Sequence, residues 1–161
     1  HNWVTAWVAI TDSNEHNGCM RMWSGSHKDN LKMHNQMFNE GNLLTRGQTV
    51  KNVPIEKTTP LILNAGQMSL HHPTVVHGSD LNKSNDRRIG FVIQSYIGTN
   101  VKQVLGKNGV QLARGKDNYN FHETIERPKS LMDKNDIKIK KQENDNLQEI
   151  FYKGSSKKGN Y

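Results

Sequence analysis

The sequence predicts an all-β core, a sandwich or barrel, followed by one terminal helix. Three observations carry that expectation. β-Branched and aromatic runs recur between turn residues, most clearly WVTAWVAI at 3–10 and RIGFVIQSYI at 88–97. Gly, Pro and Asn punctuate the intervening stretches at the spacing of short strands. Late in the chain, between 135 and 152, Leu147, Ile150 and Phe151 fall at i, i+3 and i+4, the spacing of one helix face.

Taken in order, WVTAWVAI reads as a buried strand. TDSNEHNG follows and ends in Asn17-Gly18, a strong short-hairpin signal. CMRMW, 19–23, is then expected as the returning strand. Residues 29–50 are polar, with Met33, Met37 and Phe38 at helix-like spacing, so a loop with a short helix is expected there. KNVPIE and TTPLILNAGQMSLHH read as further strand segments, the second broken by a turn at Ala65-Gly66. Pro54 and Pro60 suit strand starts or edges. RIGFVIQSYI is the cleanest strand. After Thr99 the chain is polar and Gly-punctuated with no firm period, and Pro128 marks a boundary. Asn135 or Asp136 is expected to cap the terminal helix, and GSSKKGNY to fray.

A chain of 161 residues can bury one domain's core, but 33% apolar content leaves it a large polar surface. No apolar run approaches a membrane span, and no basic-then-apolar leader pattern is present. The single cysteine, Cys19, makes neither an internal disulfide nor a cysteine metal cluster, which fits a reducing, cytoplasmic setting. The formal charge is +7. It is spread: the 126–161 stretch holds nine Lys or Arg among six Asp or Glu, with no aromatic-basic stripe. Nucleic-acid binding is therefore not expected. The chain starts almost directly on a strand, which suggests a fragment of a longer protein.

The chemistry concentrates in HHPTVVHGSDLNKSNDRR, 71–88. His71 and His72 are neighbours on a strand and point to opposite faces, the behaviour of structural histidines. His77 follows the apolar Thr74-Val75-Val76 and precedes Gly78-Ser79, so a rigid strand end would project it into the barrel interior. Neutral imidazole there suits iron, zinc or copper. Arg87 and Arg88 also face opposite sides, so at most one shares that interior. A guanidinium aimed inward needs an anion, and its planar fork fits a carboxylate. The pattern allows either a metal-plus-carboxylate site or two rim arginines beside a structural histidine.

Two blocks narrow the choice. VTAWVAITDSNEHNGCMRMWSGSHK resembles the phytanoyl-CoA dioxygenase family segment A-W-x-A-ϕ-T-D, E-x-N-G-C and G-S-H. LNAGQMSLHHPTVVHGSDLNKSNDRRIGFVIQSY resembles the same family's H-P-x-ϕ-x-H-G-S block, followed by a basic residue that opens a strand. FYKGSSKKG is similar to the helical tail of many bacterial members. The resemblance implies a double-stranded β-helix, a cupin-like jelly roll. Residues 1–126 would be its C-terminal part and 127–161 a helical tail.

It also implies an iron(II)- and 2-oxoglutarate-dependent oxygenase. Such an enzyme hydroxylates a small molecule with dioxygen and releases succinate and carbon dioxide. By the family pattern His77 is the distal histidine of the catalytic iron site. Arg88, eleven residues on, holds the far carboxylate of 2-oxoglutarate, Ser79 is a second contact, and Trp7 lines the cosubstrate pocket. His71 and His72 fall in the lead-in as structural or supporting residues. Gly18, Gly25 and Gly78 match turn glycines, and Asn17 and His27 match scaffold positions.

One departure stands out. The family's His-x-Asp pair should precede the A-W strand, and here His1 is followed by Asn2-Trp3. Either a preceding segment supplies the pair or the chain is a relative that holds no iron. A halogenase, in which a small residue replaces the carboxylate ligand, and a non-catalytic carboxylate-binding barrel are the competing functions. The partners implied are a small-molecule substrate and dioxygen, with no nucleic acid or membrane. The 29–50 segment is expected near the mouth of the site, while the substrate and the oligomeric state are left open.

Overall fold

The structure, a computed structural model, describes residues 2–29, 31–37 and 47–155. His1, Asn30, the whole polar 38–46 stretch with Phe38, and the tail beyond Ser155 lie outside the described residues. The chain divides into two compact units, one formed by His1–Asn35 with Thr49–Ile97, the other by Gln36–Gln48 with Gly98–Tyr161.

The first unit is antiparallel β. WVTAWVA forms β1 (Trp3–Ala9), the centre of a three-stranded sheet flanked by β6 (Met68–His71) and β8 (Gly90–Ile97). β2 (Met20–Trp23) is the centre of a second sheet, between β5 (Thr58–Pro60) and β7 (His77–Ser79). β3 (His34–Gln36) and β4 (Gln48–Val50) form a separate ribbon. Pro60 sits on β5, which among the described residues pairs only with β2; an edge strand is where a residue without an N–H is tolerated.

Register decides what each face carries. Trp7 lies opposite Ser69 on one side and Val92 on the other, and Thr5 lies opposite His71. These residues share the face that looks toward the second sheet. Ala6 opposite Leu70 and Ile93, and Val8 opposite Met68 and Phe91, share the other face. A β-bulge between Val4 and Ala6 shifts the pairing to β8 near the strand's start. The outer face is apolar yet open: Met68, Leu70 and Phe91 are 58%, 64% and 58% exposed.

Several expectations change. Asn17-Gly18 does not close a hairpin, because β1 and β2 belong to different sheets. The loop between them is held by its own side chains. Asn17 Oδ1 accepts from Asn14 N at 2.8 Å, and Asn17 Nδ2 donates to the Asp12 carbonyl at 2.8 Å. Gly18 supplies the left-handed φ of 76°, and a Cβ there would come 2.7 Å from the Asp80 carbonyl oxygen. The dipeptide makes the turn it promises, but the turn carries the chain from one sheet to the other.

KNVPIE is not a strand. It ends in a single 3₁₀ turn, Ile55–Lys57. Around Met33 and Met37 the chain is extended as β3 rather than helical. Gly66 does make the expected turn, at φ 87°, and Gly25, at φ 81°, precedes a 3₁₀ turn over Ser26–Lys28. Gly78 is no turn glycine: it lies within β7, and a Cβ there would meet nothing within 4 Å.

The second unit is an irregular run with one parallel bridge, Val110 to Thr124, and the helix α1 (Lys134–Tyr152). α1 starts one residue before the expected first cap. Asp133 is the N-cap, and its carboxylate accepts from Asn135 N at 2.9 Å and Asp136 N at 3.1 Å. Two glycines fit the run against this helix. A Cβ on Gly106 would come 2.5 Å from Ile150, and Gly109 N donates to Glu143 Oε2 at 2.7 Å. Among the described residues no helix is long and apolar enough to cross a membrane. Asp133→Ala removes both cap bonds and should cost about 1 kcal/mol of helix stability. The check is a lower urea midpoint followed by far-ultraviolet circular dichroism, with the near-ultraviolet spectrum unchanged.

Candidate functional site

The site lies between the inner faces of the two sheets of the first unit. β7 holds only His77, Gly78 and Ser79. It pairs with β2 so that His77 lies opposite Met22 and Ser79 opposite Met20. Being two residues apart on a strand, His77 and Ser79 project from the same face.

The segment leading into β7 is pinned. Val76 N donates to the buried Ser26 Oγ at 2.8 Å, and Trp23 N donates to the Val76 carbonyl at 2.9 Å. His77 Nδ1 lies 2.9 Å from the Val75 carbonyl oxygen. A carbonyl only accepts, so Nδ1 carries the proton and Nε2 carries the lone pair. That is the tautomer a metal ligand needs.

Arg88 enters from the segment that leads into β8. The loop from β7 is folded on itself: Asn82 Nδ2 donates to the Asp86 carbonyl at 2.6 Å, and Ser84 N donates to Asn82 Oδ1 at 2.8 Å. Thr11 then fixes the approach to β8. Its hydroxyl donates to the Arg87 carbonyl at 2.9 Å and accepts from Ile89 N at 2.9 Å. Arg88 therefore lies just before β8 rather than within it. Its Nη2 donates to Ser79 Oγ at 3.4 Å, and its Cζ sits 5.8 Å from the Trp7 ring centroid. Among the described residues Arg88 forms no ion pair; the basic partners in such pairs are Arg21, Lys32, Lys129 and Lys141.

Trp7 is 5% exposed. Its indole occupies the space a side chain on Gly90 would need: a Cβ there would lie 2.1 Å from Trp7 Cζ2. The structure thus brings Trp7, His77, Ser79 and Arg88 together. It differs from the expected enclosed cavity in one respect, since His77 and Ser79 are exposed.

His71 was read from the sequence as structural or supporting, and it stands closer to the site than that. It ends β6, half-buried, with its ring centroid 5.6 Å from that of His77. Burial, and then the neighbouring His77, push its pKa below the ordinary 6.5. His72 turns the other way and stacks on His27 at 5.3 Å. Asn17 is buried and hydrogen-bonded, as its scaffold reading requires. The signal for His71 was the alternation of faces, which separates it from His72 without saying which of the two faces His77.

A family model for phytanoyl-CoA dioxygenase matches residues 1–90. The chain belongs to the phytanoyl-CoA dioxygenase family. Peroxisomal phytanoyl-CoA dioxygenase of Mus musculus is 28% identical over 107 residues, which are 66% of this chain and 31% of the mouse protein. The Homo sapiens enzyme is 30% identical over 86 residues, 53% of this chain and 25% of its own length. A solved structure described as the non-heme monooxygenase ThoJ, without metal, superposes on 94% of this chain and 54% of its own, with a TM-score of 0.79 and 27% identity. This member of the family therefore spans about half the length of ThoJ and about a third of the mouse relative.

The donors are of the kind that one corner of the iron site expected from the sequence would need. His77 offers a lone pair at Nε2, and Arg88 with Ser79 offers donors to a carboxylate. Among the described residues no three His, Cys, Asp or Glu side chains converge on a metal position. Gly90→Ala would drive a methyl group into the indole, which is packed and unable to yield. A loss of about 1–3 kcal/mol is expected, together with a changed tryptophan emission. Urea unfolding followed by fluorescence measures both.

Proposed function

We propose that this chain is the C-terminal part of a double-stranded β-helix oxygenase that uses iron(II) and 2-oxoglutarate to hydroxylate a small molecule. The observation that carries the reading is Arg88. A guanidinium with no ion-pair partner among the described residues lies over Trp7 and donates to Ser79. Ser79 shares a strand face with His77, whose free nitrogen is Nε2. Family membership and the likeness to ThoJ support the oxygenase class.

In this reading His77 Nε2 holds one position on the metal. Arg88 and Ser79 receive the far carboxylate of 2-oxoglutarate, the guanidinium matching its charge and the hydroxyl donating a second bond. The Trp7 indole supports the guanidinium from below and keeps water from that side of the carboxylate. Iron, when bound, supplies the activation of dioxygen that converts 2-oxoglutarate to succinate and carbon dioxide while a substrate C–H bond is hydroxylated. The chain's own part is to fix the two ends of the keto acid.

Arg88→Ala should weaken 2-oxoglutarate binding by about 2 kcal/mol or more, a loss of roughly thirtyfold. Calorimetric titration of 2-oxoglutarate into the nickel-loaded protein measures it. Unchanged affinity would remove Arg88 from the site.

A further inference from the structure

The imidazoles of His71 and His77 come from different sheets and lie beside each other, with ring centroids 5.6 Å apart and planes tilted by 56°. Both have a nitrogen to offer. The proton of His77 is on Nδ1, bound to the Val75 carbonyl. His71 Nδ1 lies 3.5 Å from Ser69 Oγ, at the limit of a hydrogen bond.

Spacing tells what such a pair can hold. A metal–imidazole bond of about 2.1 Å places the ion about 3.2 Å from a ring centre. Two imidazoles on a tetrahedral ion then have ring centres about 5.2 Å apart, against about 4.5 Å at the right angle of an octahedral ion. The observed separation is close to the first and far from the second.

We propose that His71 and His77 together bind a four-coordinate divalent cation, zinc(II) or cobalt(II), with water in the remaining positions. The inference rests on His77 being a metal donor, and it adds His71, a residue with no place in the iron site read above. Zinc held this way occupies the nitrogen that iron needs, so zinc and iron compete for His77. The second histidine pair offers an internal control. His27 and His72 are stacked with planes only 30° apart, and His72 Nδ1 is already engaged by Thr74 N at 3.3 Å and by Thr74 Oγ1 at 2.8 Å.

The test is cobalt(II) titration followed by visible absorption, with zinc affinity read by competition against a chromogenic chelator. The proteins are wild type, His71→Phe, His77→Phe and His72→Phe. The wild type and His72→Phe should show the intense absorption of four-coordinate cobalt. His71→Phe and His77→Phe should lose it and bind zinc at least tenfold more weakly. Loss in His77→Phe with wild-type behaviour in His71→Phe would overturn the pair and leave His77 as a donor. No binding by the wild type, or binding unaffected by His77→Phe, would overturn both readings. Loss in His72→Phe would move the metal to another site and overturn the proposal. Nitrogen NMR of the histidine-labelled wild type, which needs no variant to fold, should show zinc-shifted ring nitrogens for His71 and His77 alone. Zinc shifts at any other pair would overturn it.

Discussion

The indole of Trp7 lying against the bare backbone of Gly90 is the contact on which the site depends. β1 is the middle strand of its sheet, so Trp7 is fixed from both sides, by Ser69 of β6 and by Val92 of β8. With no side chain at Gly90 the ring can lie flat against β8 and offer its other face to Arg88. The cation–π attraction is worth roughly 0.5–2 kcal/mol, but its larger effect is orientation. A guanidinium resting on a rigid ring is held where Ser79 can meet it. A one-residue slip of β1 against either neighbour would turn Trp7 outward and remove the platform.

The sheet around that contact inverts the usual antiparallel arrangement, in which the covered face is apolar and the open one polar. Thr5, Ser69 and His71 share the inner face with Trp7, while Met68, Leu70 and Phe91 crowd the outer one. The order of the site therefore comes less from a greasy core than from hydrogen bonds at the strand ends. Thr11 clamps 87–89, Ser26 holds Val76, and the Val75 carbonyl orients His77.

Much of this was legible in the sequence, for identifiable reasons. β1 and β8 announced themselves because β-branched and aromatic residues are dense there, and α1 because Leu147, Ile150 and Phe151 keep helical spacing. The H-G-S stretch and the arginine eleven residues beyond His77 marked the site. What the sequence withheld was pairing. Asn17-Gly18 signals a reversal, yet the side chains of Asn14 and Asn17 satisfy that turn locally, and nothing in the dipeptide tells which strand comes next. Asp133 took the cap expected of Asn135 or Asp136, because its carboxylate reaches the backbone N–H of both. The place of His71 depends on how two sheets face each other, a relation that no strand's periodicity contains.

His77, Ser79 and Arg88 arrive within a single run of chain, and the intervening loop is stitched to itself through Asn82, Ser84 and Asp86. The span from imidazole to guanidinium is set by loop length and strand register, with the His16 carbonyl holding Lys83 N and Thr11 and Trp7 holding the arginine end. In engineering terms that run is a cassette. Moved onto another pair of antiparallel strands, it would keep its gauge of the imidazole-to-guanidinium distance only if those outside anchors moved with it. Lengthening the 80–87 loop would recalibrate that gauge before it disturbed the sheets on either side.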